Sequence, residues 1–202
     1  MKIIGLCGGS GSGKGCVCSV FNSFNIPSID TDKVYHQLTS SSSTCLDALI
    51  VEFGEDIISP LGGLDRKKLA ERVFFSEDAE KKRVRLNEIA HSFVLDEVRR
   101  ILTTLEDKNR FCVVDAPLLF ESGFNKECDK IICVIAPKDV RIDRICIRDG
   151  ISSEAALARI SSQITDEELI SLCDYCIDNS GDMSKLYIQV KNIINSMEKE
   201  LF

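Results

Sequence analysis

The sequence lacks tryptophan, has only two histidines among its 202 residues, and contains no long apolar run. No stretch approaches the roughly 20 apolar residues of a membrane-spanning helix, and the first apolar stretch is too short for a signal peptide. Positive charge is also scarce, since 25 Lys and Arg face 32 Asp and Glu, which gives a formal net charge of −7. This balance argues against broad electrostatic binding to nucleic acid or to an anionic membrane. We therefore expect a cytoplasmic protein with neither kind of partner.

Paired metal-binding motifs are missing as well, although the chain has ten cysteines. The one C-x-x-C sequence, Cys173 to Cys176, has no second pair and no histidine near it. We interpret it as structural rather than as a zinc or redox site. Because no secretory signal is recognisable, the cysteines are expected to be reduced and mostly buried.

Five short segments rich in Ile, Val and Cys predict the strands of one parallel sheet. They are Lys2–Cys7, Ile26–Ile29, Phe111–Asp115, Lys130–Ala136 and, more weakly, Tyr175–Ile177. Helical patterns lie between them, as in an α/β sandwich whose parallel strands are joined by crossover helices. Residues 32–109 interrupt this alternation with helical patterns and no convincing strand. We predict that they form an insertion into a core made by residues 1–31, 110–137 and 165–202.

The segment between the first predicted strand and the first helical pattern has the form Gly8-x-x-x-x-Gly13-Lys14. Glycines let the backbone turn so that successive N–H groups face a phosphate, and the helix N-terminus adds partial positive charge. Lys14 can then reach the β- and γ-phosphate oxygens. We interpret the segment as a phosphate-binding loop for a nucleotide rather than as a plain glycine-rich turn. The predicted nucleotide-binding residues of this loop are Gly9, Ser10, Gly11, Ser12, Gly13, Lys14, Gly15 and Cys16.

The loop lacks the hydroxyl residue that usually follows its lysine. In P-loop hydrolases and kinases a Ser or Thr there ligates Mg²⁺, whereas this chain has Gly15. Because Mg²⁺ keeps several waters in its octahedral shell, a water can replace that hydroxyl at some cost in metal affinity. We predict a working phosphoryl-transfer site with an elevated Mg²⁺ requirement. A nucleotide-binding protein that has lost catalysis is the alternative.

Three carboxylates follow predicted strands, at the sheet edge where parallel sheets bind their ligands. Asp30 and Asp32 come after the second strand, and Asp115 ends the third. We predict that Asp115 and Asp30 hold Mg²⁺ through water, and that Asp32 accepts a proton from the acceptor hydroxyl or orients it. Helix capping is the alternative for Asp30 and Asp32, because an Asp side chain accepts hydrogen bonds from first-turn N–H groups.

Arg141, Arg144 and Arg148 follow the fourth strand at a spacing that places them on one helical face. Phosphoryl transfer depends on orientation and charge neutralisation, so guanidinium groups near the nucleotide suit that chemistry. Asp139 and Asp143 are interspersed with the arginines. Spacing alone favours the alternative, a solvent-exposed helix with ion pairs.

The whole pattern resembles the dephospho-coenzyme A kinase family. The resemblance runs nearly end to end, through GGSGSGK, IDTDKVYHQL, GLDRKKLAERVF, LNEIAH, DAPLLFESG, RICIRDGIS, ARISSQ and DYCIDNSG. It implies a P-loop three-layer sandwich with a five-stranded parallel sheet, a helical acceptor-binding insertion and a lid at residues 138–164. It also implies a monomer that uses ATP and Mg²⁺ to phosphorylate the ribose 3′-hydroxyl of dephospho-CoA, the last step of coenzyme A biosynthesis.

The resemblance further implies roles for individual residues. Its catalytic candidates are Lys14, Asp32 as the proposed base, and the lid arginines Arg144 and Arg148. Asn179 matches a residue near the adenine of ATP, and Arg144 also contacts the nucleotide. The acceptor-side residues are Asp32, His36, Leu64, Arg66, Asn87, His91, Pro117, Leu118 and Glu121. A P-loop kinase for nucleosides or nucleoside monophosphates is the main alternative, because it shares the loop and the arginines.

Overall fold

Five strands form one sheet in the structure, a computed structural model that describes residues 1–75 and 78–200. They are β1 (Lys2–Cys7), β2 (Ser28–Asp30), β3 (Phe111–Asp115), β4 (Lys130–Ile135) and β5 (Tyr175–Asp178), in the order β2-β3-β1-β4-β5. β1 pairs in parallel with β3 and β4, and β4 pairs in parallel with β5. The predicted five-stranded sheet is confirmed. Residues 76, 77, 201 and 202, which belong to the predicted insertion and core, lie outside the described residues.

Helices make up most of the remaining described chain. They are α1 (Lys14–Ser23), α2 (Thr31–Thr39), α3 (Thr44–Phe53), α4 (Arg66–Phe74), α5 (Ala79–Leu105), α6 (Lys138–Asp149), α7 (Ser153–Ser161), α8 (Asp166–Ser171) and α9 (Met183–Lys199). Two short 3₁₀ turns, Glu55–Ile57 and Phe124–Glu127, complete them. In the part of the chain that is described, no helix combines the length and the apolar character needed to cross a bilayer.

The chain divides into two units, each with its own packing, and the first consists of Met1–Ile29 and Leu105–Phe202. The centre of its sheet is covered on both faces. Four consecutive residues of β3, Phe111 to Val114, point alternately to the two faces, and all four are buried. This explains why the strands are near-continuous apolar runs rather than alternating ones. Helices α1 and α9 bury their apolar stripes in the core cluster of one face, with Phe21 and Leu186 at most 1% exposed.

The second unit, Asp30–Thr104, is helical. Its core consists of Cys45, Leu49, Phe53, Ile57, Leu69, Val73 and Ile89. The predicted insertion was residues 32–109, so its expected ends lie near those of this unit. The predicted lid, residues 138–164, contains α6 and α7, which fall within the first unit. Its treatment as a separate lid stays a prediction.

Candidate functional site

The loop between β1 and α1 includes glycines with positive φ, a conformation that other residues rarely adopt. Gly13 is the N-cap of α1 with φ 91°, and a Cβ there would overlap the side-chain nitrogen of Asn179. Gly11 has φ 78°, and a Cβ there would lie 2.6 Å from the carbonyl oxygen of Arg141. The motif glycine at position 13 therefore serves both a left-handed turn and a close approach of other elements.

Side chains from α6 and from the end of β5 hold the loop carbonyls. Arg144 Nη1 donates to the carbonyl oxygens of Gly11 (3.3 Å) and Ser12 (3.2 Å). Its Nη2 donates to the carbonyl oxygen of Asn179 at 3.0 Å. The side-chain amide of Asn179 donates to the Ser12 carbonyl at 2.8 Å. These bonds fix the peptide planes of the loop, and Arg144 and Asn179, both predicted nucleotide-binding residues, are brought together there.

Ser10, earlier in the loop, is held through its carbonyl, its N–H and its hydroxyl. Arg141 Nε donates to the Ser10 carbonyl at 2.9 Å, and the Ser10 N–H donates to Gln163 Oε1 at 2.9 Å. Gln163 Nε2 donates to Ser10 Oγ at 3.2 Å. Arg141, 4% exposed, also donates to Gln163 Oε1 (3.2 Å) and to Asp166 Oδ1 (3.0 Å). Each of the three guanidinium nitrogens of Arg141 therefore donates one hydrogen bond within this network.

The N–H groups at the start of α1 are available to a ligand. Those of Gly13, Lys14 and Gly15 have no hydrogen-bond acceptor among residues 1–75 and 78–200. Lys14 Nζ donates to the Gly8 carbonyl at 3.0 Å, so the ammonium group lies over the loop. Ser12 Oγ is buried, and no described residue is its hydrogen-bond partner. First-turn N–H groups, the helix dipole and an ammonium together favour a bound phosphate.

Position 15 has room for a side chain. A Cβ on Gly15 would meet no atom within 4 Å, and both Gly15 and Cys16 are exposed. The absence of a hydroxyl there is therefore a property of the sequence and is not imposed by crowding.

Asp115, the predicted metal-binding carboxylate, lies at the carboxyl end of β3, in register with Leu6 of β1. The Cys18 thiol, one turn after Lys14 on α1, is 3.9 Å from Asp115 Oδ2. The carboxylate is therefore beside the helix that opens the phosphate loop. Carboxylate oxygens are ligands that suit Mg²⁺, directly or through water.

Arg148, on the same helix as Arg144, has a different environment. Its Nε donates to Asp149 Oδ1 at 2.7 Å, its side chain is 60% exposed, and Arg159 donates to the same carboxylate. Hydrogen bonds from Arg148 and then from Arg159 lower the pKa of Asp149. The loop contacts thus involve Arg141 and Arg144, whereas Arg148 belongs to an exposed ion-pair group. Its role as a lid arginine stays a prediction.

Pro117, Leu118 and Glu121, the predicted acceptor-side residues of the first unit, lie in the turn that follows β3. All three are exposed. Leu118 is 43% exposed, and contact of an apolar side chain with water is unfavourable. They come directly after Asp115 and Ala116 in the chain. Their contact with an acceptor stays a prediction.

Asp30 and Asp32 begin the second unit. Asp30 is the N-cap of α2, and its carboxylate accepts from the Lys33 N–H at 3.0 Å. Asp30 is therefore a helix cap, as the alternative for this residue states. The role of Asp30 in holding Mg²⁺ through water stays a prediction. Asp32 lies in the first turn of α2 with an exposed side chain. Exposure leaves its carboxylate accessible, and its role as the base stays a prediction.

The other predicted acceptor-side residues of the second unit fall in two places. His36 Nδ1 is 2.7 Å from Arg66 Nη2, and the Leu64 N–H donates to a backbone carbonyl at the end of α2. His36, Leu64 and Arg66 are thus brought together where α2 ends and α4 begins. Asn87 and His91 are half-buried and lie one turn apart on α5.

Three residues that support the phosphate loop were not predicted as site residues: Arg141 and Gln163, which bond to Ser10, and Asp166, which bonds to Arg141. In the sequence, Arg141 stands out only as a member of the arginine pattern of residues 141, 144 and 148. Gln163 belongs to the quoted segment ARISSQ, but it is 153 positions from Ser10 and no spacing rule links them. Only the fold, which brings the segment after α7 to the loop after β1, shows this contact.

The loop, the lysine at the start of α1 and the sheet order β2-β3-β1-β4-β5 define a P-loop protein of the kinase type. Its fold agrees with that of a protein from Thermus thermophilus, with a TM-score of 0.81 and 28% identity over 96% of this chain and 97% of that one. The match with a dephospho-CoA kinase from Campylobacter jejuni has a TM-score of 0.71, with 28% identity and full coverage of both chains.

Sequence comparison narrows this class to one family. The dephospho-CoA kinase family profile matches residues 2–185. A dephospho-CoA kinase from Aquifex aeolicus is 36% identical over 200 residues, which cover 99% of this chain and 100% of the relative. The chain therefore belongs to the dephospho-CoA kinase family, and the protein is a kinase of the transferase class. The resemblance inferred from the sequence motifs is confirmed.

Proposed function

We propose that the protein transfers the γ-phosphoryl group of ATP to the ribose 3′-hydroxyl of dephospho-CoA, which yields coenzyme A and ADP. One observation carries the nucleotide half of this proposal: the loop carbonyls of Ser10, Gly11 and Ser12 are all hydrogen-bonded to side chains, while the N–H groups that open α1 are not. A loop held in this way presents donors to phosphate oxygens without further reorganisation. Family membership supports the acceptor half.

The chain's own residues act on the nucleotide through position and charge. The N–H groups of Gly13, Lys14 and Gly15 bind the β-phosphate, and the Lys14 ammonium moves from the Gly8 carbonyl to the β- and γ-oxygens. Arg144 keeps the loop in shape, and its positive charge adds to the field at the phosphates. Because a loose transition state needs little covalent assistance, these contacts supply most of the catalysis.

Metal binding here depends on oxygen donors. Mg²⁺, when bound, neutralises charge on the phosphate oxygens and orients them for in-line transfer. Asp115 fits as a ligand by its chemistry and by its place beside α1. No group of three or more His, Cys, Asp or Glu side chains among residues 1–75 and 78–200 is arranged as a metal site. With Gly15 in place of the hydroxyl residue, nucleotide phosphates and water would supply most of the ligands of a bound Mg²⁺.

The acceptor side follows from the family resemblance. Asp32 accepts the proton of the 3′-hydroxyl or orients that hydroxyl. His36 and Arg66, together with Asn87 and His91, bind the acceptor from α2, α4 and α5. We also propose that the protein is cytoplasmic and that it acts as a monomer. Light scattering after size-exclusion chromatography tests the oligomeric state.

An acceptor comparison tests the function. Purified protein is assayed for ADP release with ATP, Mg²⁺ and, separately, dephospho-CoA, adenosine or CMP. We expect dephospho-CoA to be the preferred acceptor. Mass spectrometry and NMR of the product should show the added phosphate on its 3′-hydroxyl. Preference for adenosine or CMP would favour the nucleoside or nucleotide kinase alternative. No ADP release above background at saturating Mg²⁺ would favour a nucleotide-binding protein without catalysis.

A further inference from the structure

Four of the ten cysteines lie together in the first unit. Cys7, Cys133 and Cys176 occupy matching register positions, since Cys7 of β1 pairs with Cys133 of β4, and Cys133 pairs with Cys176 of β5. Residues in register on neighbouring parallel strands project from the same face of the sheet. Cys173 lies in the turn between α8 and β5. The C-x-x-C sequence and the cysteine that precedes the phosphate loop therefore meet on one sheet face.

The thiols of Cys7 and Cys173 are in contact. Their sulfurs are 3.6 Å apart, although the residues are separated by 166 positions. Cys7 is 2% exposed and its thiol also approaches the Ile132 carbonyl at 3.6 Å. Cys173 is only half-buried, so a small reagent can reach it. Cys133, fully buried, directs its thiol at the Tyr175 carbonyl at 3.5 Å.

This arrangement of cysteines suits a disulfide bond between two thiols better than a metal site. A tetrahedral thiolate site needs three or four donors around one point. No such group of three Cys, His, Asp or Glu side chains is found in the described chain. Two thiols already in contact need only a short approach, from 3.6 Å to about 2 Å between sulfurs, to form a bond.

We propose that Cys7 and Cys173 are a thiol modification site, which a low-molecular-weight disulfide such as oxidised glutathione converts into an intramolecular disulfide. The Cys173 thiolate attacks one sulfur of the reagent, forms a mixed disulfide and releases one glutathione thiolate. The Cys7 thiolate then attacks Cys173 Sγ and releases the second. The two thiol protons pass to the two glutathione thiolates, so the protein loses two hydrogen atoms and the reagent gains them.

The surroundings of Cys173 set the speed of this exchange. A hydrogen bond with Cys133 of β4 lowers the pKa of Cys173, but a hydrogen bond with Cys7 of β1, burial and the nearby Asp174 outweigh it and raise the pKa to about 12. Because the thiolate is the nucleophile, exchange is slow at neutral pH and faster in alkaline solution. The site therefore stays reduced unless the disulfide reagent is abundant or contact is prolonged.

The bond would act on the phosphate loop through Cys7. Gly8 follows Cys7 directly and is tightly enclosed, since a Cβ there would lie 2.5 Å from the Val134 carbonyl oxygen and 2.8 Å from Ser12 Oγ. Because Gly8 is bonded to Cys7 and closely surrounded, we expect a shift of Cys7 towards Cys173 to disturb Gly8 and the loop. We expect oxidation to weaken ATP binding. This effect rests on the proposed function, whereas formation of the bond does not.

The test uses the full-length reduced protein, incubated with oxidised glutathione in mildly alkaline buffer. Intact mass and peptide mapping are expected to show the loss of two hydrogen atoms and a Cys7–Cys173 linked peptide, both reversed by dithiothreitol. Cys173→Ser and Cys173→Ala should each prevent the linkage, and neither changes a fully buried position. Cys146→Ser, in the half-buried part of α6, is the matched control and should form the bond as the wild type does.

Other results would overturn the proposal. These are no mass loss, a stable mixed disulfide alone, or a bond that joins Cys133 to Cys173 or to Cys176. Calorimetry with ATP then compares the oxidised and the reduced protein, and a rise of about tenfold in Kd on oxidation is expected, which dithiothreitol reverses. Unchanged ATP affinity in the cross-linked protein would refute the effect on the loop. Failure of the reduced protein to bind ATP would instead refute the proposed function.

Discussion

Replacing Arg144 by alanine tests whether ATP affinity depends on how the loop carbonyls are held. The substitution removes the donors to the Gly11 and Ser12 carbonyls, at 3.3 and 3.2 Å, and to the Asn179 carbonyl, at 3.0 Å. The Ser12 carbonyl keeps its hydrogen bond from the Asn179 side chain. The Gly11 carbonyl loses its side-chain donor, so its peptide plane is free to rotate.

The expected magnitude follows from these contacts. Hydrogen bonds from a charged donor contribute about 1.5–3 kcal/mol each when buried, but Arg144 is only half-buried and water can reach the freed carbonyls. We therefore expect Arg144→Ala to weaken the free energy of ATP binding by about 2 kcal/mol, which corresponds to roughly a thirtyfold rise in Kd. The acceptor contacts that the family resemblance implies lie elsewhere, so KM for dephospho-CoA should change much less.

Calorimetric titration with ATP and Mg²⁺ measures the effect, and circular dichroism shows that each variant is folded. Arg110→Ala is the matched control, because Arg110 is 68% exposed, lies at the amino end of β3 and forms an ion pair with Glu198 at 3.8 Å. Its ATP affinity should equal that of the wild type. Wild-type affinity in a folded Arg144→Ala variant would refute the view that this side chain shapes the loop.

Three further predictions address the metal, the base and the fold. Gly15→Ser should lower the Mg²⁺ concentration for half-maximal activity, because the new side chain meets no atom within 4 Å and supplies the missing hydroxyl; Gly15→Ala should not. Asp32→Asn should retain ATP binding by calorimetry but lose turnover, and wild-type turnover would remove Asp32 from its proposed role. Burial raises the pKa of Asp129, but hydrogen bonds from Lys2 and the Ile3 N–H outweigh it and lower the pKa. That stabilisation is present above the unfolded value of about 3.9 and is lost as pH falls through the folded-state pKa. Asp129→Asn should thus lower the free energy of unfolding in urea by about 1 kcal/mol at neutral pH, and an equal difference at a pH below the folded-state pKa of Asp129 would contradict the assignment.

Much of the fold could be predicted because the central strands β3, β1 and β4 are largely buried on both faces and so form uninterrupted apolar runs. The start of β2 was harder to predict. The sequence pattern begins at Ile26, but the Ile26 N–H still bonds to the Phe21 carbonyl at the end of α1. Pro27 has no N–H to donate, so its carbonyl alone pairs, with the Val113 N–H. β2 therefore begins at Ser28, because local turn bonds and a proline delay the pairing.

Some features of the candidate site could likewise be predicted from the sequence, and others could not. The loop glycines and Lys14 could be predicted because their chemistry depends on adjacent residues in one turn. Support of the loop by Arg141 and Gln163, and the contact of Cys7 with Cys173, could not be predicted, since each joins segments more than a hundred residues apart. Those contacts follow from the sheet order, which no local pattern encodes.

The central claim is that backbone N–H groups and one ammonium bind a triphosphate although Gly15 supplies no metal ligand. Calorimetric titration of the folded, reduced protein with ATP at saturating Mg²⁺ tests it most directly, with Lys14→Met as the comparison. We predict saturable binding at one site per chain, weakened at least about tenfold by Lys14→Met because the ammonium contact is lost. No uptake of ATP by the folded wild-type protein would contradict the claim, as would equal affinity in both proteins.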